Sequence, residues 1–312
     1  MRVLFVSSGN ILKFGISPIV KNQGLSLSQV GVHVEYFTIK GKGFLNYIKS
    51  IRKIRKYLRN NTFQLIHAHY SFSGIIACLA MPRIPVVVSL MGSDSEASLL
   101  FKVIIKFFNK FCWDVVIVKS SNIKSNLQIE NAVILPNGVN FELFREISSS
   151  LSRKKIDFQG HGKLVVFIAN PKRKEKNYDL AKHAIEILQE TGCDVTLYIV
   201  FGKDGIDNEK IPYYINAADT LLLTSIREGS PNVIKEAMAC NCPVVSTNVG
   251  DVNEVISNTQ GCYITSFDPI DISSKLRNAI YYGKTEGRKN IARLSSENVA
   301  QKLKQIYISI IK

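Results

Sequence analysis

Residues 219–249 read DTLLLTSIREGSPNVIKEAMACNCPVVSTNV, and the order of apolar runs and acids in this stretch leaves few folds open. Leu221, Leu222 and Leu223 form the short continuous apolar run of a strand covered on both faces. Ser230 is placed to cap a following helix, with Pro231 as its first residue, where a missing N–H costs nothing. The backbone N–H groups of Asn232 and Val233 then have no partner within the helix, which makes the turn a seat for phosphate. Glu228 stands just ahead of that helix and Glu236 in its second turn, and Pro243, Val244 and Val245 begin the next strand. A carboxylate beside a phosphate is repulsive unless it has another task and cations stand nearby. Two acids bracketing such a turn therefore point to a ligand that carries both phosphate and hydroxyl groups.

The rest of the chain repeats this strand and helix alternation. Arg2 to Ser7 reads as a buried strand ending in the small-residue turn Ser8-Gly9-Asn10, followed by the loop residues Phe14-Gly15-Ile16. A helix from Pro18 to Val30 stops at Gly31, and Val32, Val34, Tyr36 and Thr38 alternate as the next strand. Phe44 to Asn60 places Leu45, Ile48, Ile51, Ile54 and Leu58 on one helical stripe and six Lys and Arg on the rest. That pattern fits a helix packed on the sheet with a solvated basic back, and also a helix edge that docks on anionic lipid. Strands are expected at Gln64 to His67, Pro85 to Leu90, Asp114 to Val118, Leu164 to Ala169 and Val195 to Phe201. Residues 97–112 read as a helix carrying Lys102, Lys106 and Lys110 in one stripe. His67 and His69 fall on the same side of a strand, with His69 expected in the loop beyond it.

With 312 residues, 46% hydrophobic and 21% charged, the chain has material for two globular domains. The expected division is 1–148, a polar linker at 149–160 around Arg153-Lys154-Lys155, 161–290, and a terminal segment 291–312 that crosses back to the first domain. Six cysteines without a CxxC pair suggest reduced thiols rather than a disulfide framework or zinc clip. The apolar run after Met1-Arg2 is too short for a signal-peptide core, and Phe101 to Val118 carries too many charges to span a membrane. A cytoplasmic protein, peripheral on the inner face of the cell membrane, is the expectation. Of the net charge of +15, residues 1–150 hold +11. That half is suited to meet an anionic surface.

The motifs in their order resemble family 4 glycosyltransferases. The residues that carry the resemblance are His67-Ala-His69, Gly92-Ser93-Asp94, Asn137-Gly138-Val139, Lys176-Asn177, Glu228-Gly229-Ser230-Pro231-Asn232-Val233-Ile234-Lys235-Glu236 with Ala237-Met238-Ala239, and Pro243-Val244-Val245. The resemblance implies an α/β chain of the GT-B type, two Rossmann-like domains with parallel sheets facing an interdomain cleft. It also implies a retaining transfer in which Glu228 contacts the donor sugar and Glu236 holds the ribose hydroxyls of a nucleotide sugar. Lys176, with Arg173, would pair with the diphosphate, and Gly229, Ser230, Pro231, Asn232 and Val233 would complete the donor site. His69, Asp94 and Met91 are the acceptor-side candidates. Met91 stands where the family usually has His, Pro171 where it has Arg, and Gly250-Asp251 where it has a glycine pair; the first loop has no such pair near Gly15.

No Asp-x-Asp occurs in the sequence, so no metal and no cofactor is expected; the nucleotide sugar is a co-substrate. The leaving diphosphate would be neutralised by Lys176 and helix N–H groups. The implied partners are a nucleotide-sugar donor, a lipid-linked or saccharide acceptor in cell-surface polysaccharide or glycolipid synthesis, and an anionic membrane surface. A nucleotide-sugar epimerase of the same fold is the alternative, although it has no need of the basic first half. A non-catalytic partner subunit is kept open by Met91, Pro171 and Asp251. A nucleic-acid binder leaves Glu228 and Glu236 without a task.

Overall fold

The computed structural model describes residues 1–10, 15–41, 44–202 and 206–311, and the side chains of 44–47 lie outside that description. The loop residue Phe14 and the side chain of Leu45 therefore fall outside the described residues. The chain forms two compact units, residues 1–138 with 296–312, and residues 139–295.

The first unit is built on β1 (Arg2–Ser8), β2 (His33–Ile39), β3 (Leu65–His69), β4 (Val86–Ser89), β5 (Val115–Val118) and β6 (Val133–Ile134), in the order β2-β1-β3-β4-β5-β6 and parallel throughout. Its strands are apolar at consecutive positions because both faces are covered. Leu4 and Val6 of β1 join one buried cluster, while Val3 and Phe5 join the other. Side chains of period two thus feed two cores from one strand. The helix Ser296–Ile310 closes one face with Val299, Ala300, Leu303 and Tyr307.

The second unit is built on β7 (Lys163–Phe167), β8 (Val195–Ile199), β9 (Thr220–Leu223), β10 (Val244–Thr247) and β11 (Tyr263–Thr265), also parallel, in the order β11-β10-β9-β7-β8. Leu221 and Leu223 pack on one face and Leu222 on the other. Each fully buried Leu contributes roughly 1.5–3 kcal/mol. Counted within their units, the first five strands of each sheet follow one order, 2-1-3-4-5. In such sheets ligands bind beyond the carboxyl ends of the strands where the order reverses. That point lies between β1 and β3 in the first unit and between β7 and β9 in the second.

The expected boundaries shift where apolar side chains need cover. Phe144 is buried in the core of the second unit, and Arg288 donates to the Phe141 and Phe144 carbonyls, so 139–148 does not belong with the first strands. Residues 149–155 are helical rather than a polar linker. Arg153 binds the Asp219 carboxylate at 3.0 Å and the Ala217 and Gly162 carbonyls, which ties this helix to the second sheet.

Candidate functional site

The loops after β7 and β9 leave the sheet of the second unit on either side of its switch point. The first runs through a short turn, Lys174–Lys176, and Asn177 takes the left-handed conformation (φ 51°) before the helix Tyr178–Glu190. The second is tied down from three sides. Thr224 Oγ1 donates to the Lys176 and Asn177 carbonyls, Thr247 Oγ1 donates to the Ser225 carbonyl at 2.6 Å, and the Ile226 N–H donates to the Glu175 carbonyl.

This bracing brings Lys176 and Glu228 together. Lys176 Nζ stands 2.5 Å from Glu228 Oε1, and Ser225 Oγ donates to the same oxygen at 2.8 Å. Both side chains retain 17% exposure, so the pair is reachable from solvent. Arg173 does not join them: its guanidinium is spent on Glu175, at 2.5 and 2.8 Å, because the tight turn after Asn170 aims the two side chains at each other. Arg227, which the sequence did not single out, stands close enough to Glu175 to depress its carboxyl further.

The helix after Glu228 begins one residue later than expected, at Asn232, with Pro231 as its N-cap. Ser230 is no cap. Its hydroxyl donates to Asp251 Oδ2 at 2.7 Å and accepts from the Lys235 ammonium. Lys235 and Asp251 are both buried and form an ion pair at 3.2 Å. Pro231, the N-cap residue, has no side-chain acceptor to offer to the first turn. Gly229 packs against the turn after β10: a Cβ on Gly250, whose φ is +59°, would meet the Gly229 carbonyl oxygen at 2.9 Å. A side chain there would push the two loops apart.

Glu236 lies one turn into this helix, partly buried. Among the described residues its carboxylate has no hydrogen-bond donor. Burial pushes its pKa up to about 7, against the pull of Lys235. A carboxylate in that state gains from any ligand that supplies hydroxyl donors. Lys235 and Asp251 were missed as a pair, although a lysine between Ile234 and Ala237 in an apolar helix face was the signal for a buried partner.

In the first unit the acceptor-side candidates are placed differently from expectation. His69 is not in a loop. It is the last residue of β3, because its pairing with Ser89 and the Tyr70 N–H bond to the Ser89 carbonyl extend the strand. His67 and His69 are buried and stacked at 4.5 Å, with Phe5 edge-on to both. His67 pairs through Nδ1 with the Tyr307 hydroxyl at 2.5 Å and through Nε2 with Ser89 Oγ at 2.9 Å, while neither ring nitrogen of His69 has a partner among the described residues. Burial, reinforced by the Lys119 charge, brings the His69 pKa down to about 3, so the ring is neutral. Asp94 is also buried. Its carboxylate accepts from the Ser71 N–H and hydroxyl and from the Met91 N–H, at 3.1, 2.6 and 2.7 Å. It braces the start of the helix Ser71–Leu79, and Met91 is packed in the core beside it. Tyr70, between His69 and that helix, holds φ 69° and ψ 150°, a region close to glycine-only. Nothing in its residue type signals that strain.

The family described as Glycosyltransferase Family 4 matches residues 18–143, and that described as Glycosyl transferases group 1 matches residues 162–281. The chain belongs to glycosyltransferase family 4. It is 28% identical over 220 residues to TuaC of Bacillus subtilis, a glycosyltransferase named for teichuronic acid biosynthesis, covering 63% of this chain and 56% of that protein. It therefore spans little more than half of that relative. It is 20% identical over 301 residues to the Escherichia coli UDP-Gal:alpha-D-GlcNAc-diphosphoundecaprenol alpha-1,3-galactosyltransferase, covering 83% and 78%. Among solved structures, sucrose-phosphate synthase of Thermosynechococcus elongatus superposes with a TM-score of 0.80 at 17% identity, over 99% of this chain and 98% of the other. Anabaena HepE in complex with UDP and glucose gives 0.74 at 16% identity, over 99% and 100%. The fold is GT-B.

Proposed function

We propose that this chain transfers a sugar, with retention of anomeric configuration, from a nucleotide-sugar donor to a hydroxyl of a lipid-linked or saccharide acceptor. The observation that carries the reading is the Lys176–Glu228 pair at the switch point of the second sheet, with a helix start whose N-cap is Pro231 and the donor-free Glu236 carboxylate in the same unit. Glu236 would take the ribose hydroxyls, the N–H groups at Asn232 and Val233 the distal phosphate, and Lys176 the charge that grows on the leaving diphosphate. Donors set in place before the charge develops lower the barrier most. Glu228, held by Ser225, would orient the sugar, and the leaving diphosphate oxygen would take the acceptor proton. No resident metal or cofactor enters this scheme. Arg173 would need to leave Glu175 to contribute.

Support for the donor comes from relatives whose names or bound molecules include UDP-Gal, UDP and glucose. Support for a lipid-bearing acceptor comes from names that include diphosphoundecaprenol and phosphatidylinositol. Among the described residues no helix is long and apolar enough to cross a membrane. A peripheral position on the inner face of the cell membrane is part of this proposal. Calorimetry with UDP-, GDP-, ADP- and dTDP-sugars tests the donor site: one of them should bind to the wild type and not to Glu236→Ala. Binding of none, or equal binding to both proteins, overturns the assignment. Nuclear magnetic resonance of the product anomer tests retention.

A further inference from the structure

The helix Leu99–Phe111 of the first unit is apolar on the side it turns to solvent. Its inner side packs Ile105, Phe101 and Phe108 on the core around Val86 and Trp113. On the outer side Leu99, Leu100, Val103, Phe107 and Phe111 are 83%, 74%, 62%, 55% and 64% exposed. Four of the five follow one another at steps of four and so form a single ridge, with the Phe107 and Phe111 rings 5.0 Å apart. Water-facing patches of this kind mark an interaction surface.

Lys102, Lys106 and Lys110 run beside the ridge at the same spacing, and no Asp or Glu occurs between Ala97 and Trp113. The ridge continues past Phe111 to Met81, 76% exposed, across a hollow the two share with Arg83. Arg83 and Met81 in turn share the next hollow with Arg55 and Arg59. Apolar side chains therefore lie within a basic border.

We propose that this helix is the docking surface for an anionic lipid bilayer, its ridge entering the boundary between headgroups and acyl chains while the lysines meet lipid phosphates. An amphipathic helix lies in that plane when its apolar face is free and its flanks are cationic. A second copy of the chain fits less well. Two such helices would bring lysine stripes together with no acid on either helix to pair with them. The basic helix Phe44–Asn60 lacks the means to insert. Its Ile51, Ile54 and Leu58 face the core, and of that apolar stripe only Ile48 is exposed among the described side chains. The surface rests on the reading of a membrane-borne acceptor.

The test is flotation of the full chain with phosphatidylcholine vesicles, with and without phosphatidylglycerol, alongside calorimetry of the donor sugar. The wild type should float only with the anionic vesicles. Combining Leu99→Ser, Val103→Ser and Phe107→Ser should weaken that binding about tenfold or more while circular dichroism and donor affinity stay unchanged. Combining Arg52→Glu and Lys53→Glu on the basic helix should change it less than about threefold. Flotation of the triple variant equal to wild type overturns the proposal. So does a wild-type dimer in sedimentation that the triple variant converts to monomer without loss of flotation. Intact donor binding without flotation removes the lipid surface and leaves the donor site standing; flotation without donor binding does the reverse.

Discussion

Lys176 and Glu228 neutralise each other at 2.5 Å across the two loops that would receive the donor diphosphate. A diphosphate entering there competes with Glu228 for the ammonium. Removing Glu228 therefore frees the lysine, and Glu228→Ala should bind free nucleoside diphosphate more tightly than wild type, by about threefold to tenfold, while turnover collapses. Lys176→Ala should lose about tenfold or more of diphosphate affinity, the worth of a charge-assisted hydrogen bond. Calorimetry with nucleoside diphosphate on the three proteins reads both effects. Weaker binding by Glu228→Ala would mean that the carboxylate, not the lysine, faces the ligand.

Glu236 makes the proposed donor site sensitive to pH. Its carboxyl is raised from 4.5 to about 7 by burial, so the folded protein holds a proton that the unfolded chain releases between those values. Stability accordingly falls as pH rises from about 4.5 to 7, by up to about 3 kcal/mol, at roughly 1.4 kcal/mol per unit. Glu236→Gln removes that slope. Thermal unfolding of the two proteins at pH 5 and pH 7.5 should show the wild type losing stability that the glutamine variant keeps. Ribose hydroxyls favour the ionised form, so nucleotide affinity rises with pH through the same window and binding releases a proton, visible as buffer-dependent heat.

The Lys235–Asp251 pair holds the phosphate-side loop through Ser230, and both charges are buried. Breaking one side leaves an uncompensated charge in the core. Lys235→Met should cost about 3–5 kcal/mol in urea unfolding. Combining Lys235→Met with Asp251→Leu should recover most of that, because the pair is replaced by apolar volume. Donor affinity should not recover with it, since Ser230 loses both partners that fix the loop. Recovery of stability and affinity together would reduce the pair to a packing element.

The strands were legible because consecutive apolar residues, such as Leu221 to Leu223, have one use in a sheet covered on both faces. The resemblance named Lys176 and Glu228 for one site, and the fold brings the two into an ion pair. Chain boundaries were not, since the polar look of Arg153-Lys154-Lys155 gives no hint that Arg153 reaches Asp219, 66 residues on. The role of Ser230 was misread for a related reason. A serine before a helix is a cap by local rules, and only the fold brings Asp251 close enough to claim it. The exposure of the Leu99–Phe111 ridge was also hidden, because periodicity reports an amphipathic helix without saying which side the core takes.

Asp94 supplies the last prediction, because its three acceptor bonds fix the backbone just beyond the strained Tyr70. Its two oxygens face N–H groups from Ser71 and Met91. An asparagine would turn an NH2 toward one of these donors, so Asp94→Asn should destabilise nearly as much as Asp94→Ala, by about 2–3 kcal/mol. Release of Ser71 removes one restraint on Tyr70, whose conformation costs about 1–3 kcal/mol and persists only while its surroundings hold it. Urea unfolding should therefore show a loss for both variants, with donor-sugar affinity unchanged because the residues proposed for the donor all lie in the other unit. A bracing role lets activity return on cooling to where the variants are folded. A rise in acceptor KM that persists at every temperature, with stability intact, would instead place the Asp94 carboxylate against the acceptor.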